Sequence, residues 1–234
     1  GNRQRIDYED LSQVEGGDDA HLFCPTGFLD DAYWHRSYWV YGRGFVSGWS
    51  AYYLAGQRMP AGRLLVFDDD KVYGFGRDPQ YYRWTTPIEF RLFASDKRPK
   101  IVPLSSGPAR KPGAKKKPQA TRFETHWAES LPQQARAMVL ADRTLFVAGV
   151  PDNLNEDEAQ ATIGLPDTQK QLAEFAAALH GRRGALLHAV SADTGKRLAE
   201  YELDALPVFD GMAAADGNLF IVDKAGKVTC FTGQ

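Results

Sequence analysis

Two stretches of this chain, 74 residues apart, follow one plan. Residues 137–147 and 211–221 match Met138 with Met212, Ala141-Asp142 with Ala215-Asp216, and Leu145-Phe146 with Leu219-Phe220, all at identical spacing. Each stretch reads as two apolar strands around an aspartate turn, because Asp side chains cap nearby backbone N–H groups and tolerate unusual backbone angles. A third hairpin lies 73 residues earlier. Leu64-Leu65-Val66-Phe67 forms one strand, Asp68-Asp69-Asp70-Lys71 the turn and Val72-Tyr73-Gly74-Phe75 the return. No such unit can bury both faces alone, so repeated units must stack sheet against sheet.

A second element recurs. Residues 90–97 and 187–196 both read as a strand, then a turn of small residues and Asp, then a basic residue (Lys97, Lys196). A period near 73 exceeds the ~40–50 residues of one propeller blade. Two insertions account for the excess. Residues 97–122 carry nine Lys or Arg (Lys97, Arg98, Lys100, Arg110, Lys111, Lys115, Lys116, Lys117 and Arg122) and no Asp or Glu. With few large apolar residues, this segment predicts a long mobile loop. Residues 151–166 are acidic and read as irregular. Residues 167–180 predict the one helix, with Asp167 as N-cap, Gly181 just past the end, and Leu172, Phe175, Ala176 and Leu179 along one face.

The rest of the chain fits short strands. Residues 184–231 break at Asp193-Thr194-Gly195, Asp216-Gly217 and Ala225-Gly226, each with turn chemistry. A further strand is expected over 88–94. Residues 21–54 hold eleven aromatics interrupted by Gly27, Gly42, Gly44 and Gly48, a pattern of aromatic strands and glycine turns. Residues 1–20 are polar and read as an irregular lead-in.

Bulk charge points to no polyanionic partner. The formal net charge is −2; setting residues 97–122 aside leaves 19 basic against 30 acidic residues, or −11. The chain is an acidic body with one basic loop. Lys115-Lys116-Lys117 reads as a solvated face or a contact for an acidic partner, and no aromatics interleave it for stacking on nucleic-acid bases. No apolar run approaches the ~18 residues of a membrane-spanning helix. The chain opens at Gly1 without Met, which we read as a piece of a longer protein.

Residues 184–203, 207–222 and 226–231 together resemble the quinoprotein-type (PQQ-like) propeller repeat, whose form is strand, A-x-D-x-x-T-G-K, strand, P-x-x-x-G, strand, DG, strand, DGK, strand. The match is good over 184–231 and weaker over 61–97 and 135–149. The whole chain looks like the C-terminal part of large exported PQQ-like repeat proteins of planctomycete-type bacteria. The resemblance implies an all-β fold: a β-propeller of four-stranded quinoprotein-like blades, about four of them. The ring is complete or is closed by the rest of the parent chain or a second chain. One inserted helix interrupts it. We expect a propeller-like domain over 21–234, with the basic loop at 97–122 and an acidic loop plus helix at 151–181. It also implies a periplasmic or envelope setting. In the family's dehydrogenases a vicinal cysteine pair, a tryptophan floor and a Ca²⁺ site hold PQQ. Here no cysteines are adjacent, and Ala199 or Tyr201 stands where the Trp closing T-G-K-x-x-W would be. Cofactor-free relatives of the repeat serve as scaffolds, so the leading expectation is a non-catalytic binding surface for a protein partner, for the remainder of the parent chain or for a small ligand. The alternative is a PQQ-dependent-dehydrogenase-like oxidoreductase whose site lies partly outside this chain.

The densest candidate site precedes the repeats. Asp30, Asp31, His35, Arg36, Tyr38 and Trp39 fall within ten residues, aromatic walls with a few polar groups as in ligand pockets. Asp, His and a cation suit acid–base work or a metal, whereas turn capping and blade packing explain the same residues structurally. Asp68-Asp69-Asp70 lacks the Gly and terminal Glu of a calcium loop and reads as a hairpin turn. Cys24 and Cys230 are two unpaired thiols, or a disulfide joining the ends of a closed propeller in an oxidising compartment. His126, His180 and His188 have no ligand spacing, and no nucleophile elbow or phosphate-binding glycine loop appears.

Overall fold

The computed structural model describes residues 20–24, 39–42, 56, 59–77, 90–98, 100–103 and 119–233. Within them the fold is all-β with antiparallel pairing throughout. The first sheet joins β1 (His21–Phe23), β2 (Trp39–Gly42) and β3 (Ala61–Gly62). The second is a meander of β4 (Leu64–Phe67), β5 (Lys71–Arg77), β6 (Phe90–Asp96) and β9 (Thr125–Glu129). The third repeats that meander with β10 (Gln133–Ala141), β11 (Thr144–Pro151), β12 (Ala185–Ser191) and β13 (Arg197–Leu203). The fourth has β14 (Pro207–Ala215), β15 (Asn218–Asp223) and β16 (Val228–Thr232).

The pairing register explains the sequence repeat. Leu65, Gly74, Phe93 and Ala128 stand side by side across the second sheet. Met138, Val147, His188 and Glu200 occupy the same row of the third. Met212, Ile221 and Thr229 begin it in the fourth. β6 and β12 share one pattern of buried positions residue for residue. The 73-residue spacing also extends beyond the hairpins, to two buried arginines: Arg136 at the register shift in β10, and Arg63 in the one-residue break between β3 and β4. The Arg136 Nε–H donates to the Pro207 carbonyl at 3.0 Å, and the Arg63 guanidinium lies 5.8 Å from the Phe209 ring centre. Both arginines therefore reach the start of β14, and β4 and β14 both pack beside β10.

Consecutive sheets bury each other's faces. Leu65, Phe67 and Val72 meet Val40, Tyr41 and Met59 between the first and second sheets. The opposite face of the second sheet, with Tyr73, Phe75 and Leu92, meets Met138, Leu145 and Val147 of the third. The third sheet's other face, with Phe146, Ala148 and Leu187, meets Leu219, Ile221 and Phe231 of the fourth. Each fully buried Leu, Val or Phe stabilises such stacking by about 1.5–3 kcal/mol, which makes the inter-sheet layers the main source of stability.

One side chain closes the second layer. Trp127 lies opposite Ala94 in β9, and its Nε1–H donates to the Ala192 carbonyl at 2.9 Å. Its ring covers Gly195, where a Cβ would sit 2.6 Å from an indole carbon and φ is +73°. Only glycine meets both demands at low cost. Trp127 follows the small-residue turn of residues 94–97 in sequence, with the basic segment between them.

The insertions differ from expectation. The ends of the basic segment pair as a ribbon, β7 (Lys100–Pro103) with β8 (Gln119–Arg122), because Ile101, Val102 and Thr121 favour strand. Lys100 makes an ion pair with Glu124, and residues 104–118 lie outside the described residues. The acidic stretch holds a short helix, α1 (Glu156–Ala161), because Asn155 caps it by accepting from the Glu158 N–H at 3.1 Å. The expected helix spans Pro166–Leu179 as α2, but its N-cap is Leu165. Pro166 takes the first turn, so Asp167 sits inside it and complements the helix dipole. Its buried side chains are Thr168 and Ala178; of the expected stripe Leu172, Phe175 and Leu179 are half-buried and only Ala176 is exposed. Gly181 ends it with φ +82°.

In the β4–β5 turn, Asp68 does the capping. Its carboxylate accepts from the Asp70 N–H at 2.8 Å, from the Lys71 N–H, and from the Tyr73 hydroxyl at 2.9 Å. Burial pushes the Asp68 carboxyl up, but these donors outweigh it and hold it below its ordinary value, while burial and Asp68 raise the Tyr73 hydroxyl. Asp68→Ala should cost about 1–2 kcal/mol in denaturant unfolding. A depressed carboxyl stabilises the fold above its unfolded value of about 3.9, and that contribution disappears as pH falls through the folded value. Asp68→Asn should therefore flatten the acid limb of stability against pH.

Candidate binding groove

Of the residues singled out before the repeats, Asp30, Asp31, His35, Arg36 and Tyr38 lie outside the described residues. Trp39 opens β2, half-buried, opposite Gly62. Cys24 is half-buried behind β1 and Cys230 exposed in β16; both are free thiols, not a disulfide. Among the described residues no three His, Cys, Asp or Glu side chains gather as metal ligands. With no vicinal cysteine pair either, the described residues do not fit a calcium–quinone site. No helix among them is long and apolar enough to cross a membrane.

The histidines are scattered. His126 pairs with Asp96 at 2.7 Å on the surface. His188 replaces the Phe93 of the preceding sheet and is fully buried. Its Nε2 lies 2.9 Å from Glu200, whose carboxylate also accepts from Arg197, while Nδ1 has no partner. The His188 hydrogen bond holds the Glu200 carboxyl below its ordinary value. The group is a row of a packed sheet with one unpartnered ring nitrogen, and its acidic partner is already held by Arg197.

A groove opens instead between the third and fourth sheets. Its volume is about 740 Å³, within the usual range for small-ligand sites. Phe146, Leu187 and Tyr201 form one wall, Leu219 and Phe231 the other, and Asp142 and Asp216 stand in the turns at its mouth. The repeat varies beside the opening. In the second sheet Trp127 faces the next sheet from the position opposite Ala94; in the third that position, opposite Ala189, is Ala199. An alanine there puts a methyl group where the preceding sheet has an indole, two residues from the groove-lining Tyr201. Tyr201, two residues on, is half-exposed although its neighbours on that face are apolar and packed.

Both aspartates adopt left-handed backbone, φ 51° at Asp142 and 49° at Asp216. Asp reaches that region more readily than most residues. Each follows an apolar strand end in a two-residue turn, so the fold fixes where the carboxylates stand. The sequence marked both as repeat anchors but not as members of one site. The available signal was the missing tryptophan at 199, two residues before Tyr201.

No family model, no curated protein and no solved structure matches this chain. The groove and the sheet stacking therefore stand on their own geometry.

Proposed function

We propose that this chain is a non-catalytic, propeller-type scaffold that holds a ligand, small or presented by a protein partner, in the groove between its third and fourth sheets. Three features support the propeller reading. Four antiparallel sheets stack in chain order, β4 and β14 flank β10, and Trp127 docks on the T-G-K turn of the next unit. By the same resemblance its setting is the bacterial envelope. The observation that carries the binding role is the apolar groove itself, lined by the rings of Phe146, Tyr201 and Phe231, with Ala199 at the indole position two residues from Tyr201. Apolar walls with few polar groups suit binding, and the groove holds no paired acid and base.

Titration with 4-phenylbutan-1-ol, followed by amide NMR, should shift residues 141–143 and 215–218 saturably. Ala199→Trp should abolish those shifts while leaving the far-ultraviolet circular dichroism unchanged. Wild-type protein showing no saturable shift at these residues would overturn the reading.

A further inference from the structure

We infer that the groove selects an organic cation with an apolar body. The inference rests on the binding role proposed above and adds the charge of the ligand. Its basis is the chemistry of the lining. Asp142 and Asp216 both line the groove, and no Lys, Arg or His does. Neither carboxylate has a hydrogen-bond or ion-pair partner among the described residues. The one cation next to them in sequence, Arg143, is engaged elsewhere: its Nε–H donates to the Asp193 carboxylate at 2.8 Å, and its Nη2 also pairs there. The Asp216 main-chain carbonyl accepts from the Asn218 side chain at 3.0 Å. The rings of Phe146, Tyr201 and Phe231 line the same groove.

This is the arrangement that stabilises an ammonium or guanidinium carried on an apolar stem. The stem displaces water from the aromatic walls, the head meets two negative charges at the mouth, and the ring faces add cation–π attraction. An anion of the same shape meets two like charges among the lining residues, with the nearby Arg143 already paired to Asp193. The acidic sign of the chain outside residues 97–122 favours cations at a distance as well.

The test uses three probes of one shape: 4-phenylbutylammonium, 4-phenylbutan-1-ol and 4-phenylbutanoate. Each is titrated into the full chain at low salt, with amide NMR read at residues 141–143 and 215–218. The ammonium should bind about tenfold tighter than the alcohol, as two partly exposed ion pairs would give, and the carboxylate weakest. In Asp142→Asn/Asp216→Asn the ammonium should fall to the affinity of the alcohol, with alcohol binding unchanged. Asn also accepts left-handed backbone, so both turns survive the substitution. Equal binding of ammonium and alcohol, or an ammonium preference that persists in the double variant, would overturn the inference and leave the groove a binding site. If no probe binds there, the binding role falls with it.

Discussion

Trp127→Ala should destabilise the chain by about 3 kcal/mol, lowering the midpoint of thermal unfolding by roughly 6–12 °C at this chain length. The expectation follows from what the indole touches. It packs in the layer between the second and third sheets, with Tyr73 at 6.3 Å between ring centres. It donates to the Ala192 carbonyl and covers Gly195. Truncation removes the packing, opens a cavity and leaves a carbonyl without its donor. Trp127→Phe keeps most of the apolar contact and loses the hydrogen bond, so about 1 kcal/mol is expected. Gly195→Ala attacks the same contact from the other side, since its Cβ would fall 2.6 Å from the indole and its backbone is left-handed. Combined with Trp127→Ala it should cost less than the sum, because the cavity accepts the new methyl group and only backbone strain remains. A Trp127→Ala cost under about 1 kcal/mol, or strict additivity in this cycle, would mean that the indole does not join the two sheets.

That tryptophan also shows where the sequence is legible and where it is not. The hairpins could be read because Met138/Met212 and Asp142/Asp216 are close in sequence to the strands they organise. Strand β4 lies at the residues expected, and β10 to β16 lie at or within a few residues of theirs. The second-sheet edge strand β9 went unread because residues 97–122 separate Trp127 from the turn it follows, so periodicity never brings the two together. The matched arginines at 63 and 136 were hidden for another reason. A buried Arg looks like an exposed one until β14 is placed against it. The groove has the same character. Tyr201 and Phe231 are 30 residues apart and line one groove only when the third and fourth sheets stack.

Gly149→Ala should be as damaging as the loss of Trp127, by a different route. A Cβ at Gly149 would lie 2.0 Å from the Gln134 carbonyl oxygen and 2.7 Å from the Ala135 Cα. Both are backbone atoms of the paired strand β10, beside the register shift at Arg136, so no side chain can turn away to make room. The strands must separate locally, and that movement would pull Arg136 from the Pro207 carbonyl and loosen the fourth sheet. We expect a loss of about 3 kcal/mol, at the upper end of the usual range for overpacking. The repeat supplies an internal check. Gly76, 73 residues earlier, would meet the Ala61 carbonyl oxygen at 2.1 Å, the equivalent contact between β5 and β3, and Gly76→Ala should cost a similar amount. Gly164, in the link between α1 and α2, is the control. Nothing lies within 4 Å of its added Cβ, so Gly164→Ala should leave stability unchanged or raise it by about 0.4–1 kcal/mol through the unfolded chain. Denaturant unfolding of the three variants separates these outcomes. A Gly149→Ala midpoint equal to that of Gly164→Ala would mean that β10 and β11 are not in the close register that sets Arg136 against β14.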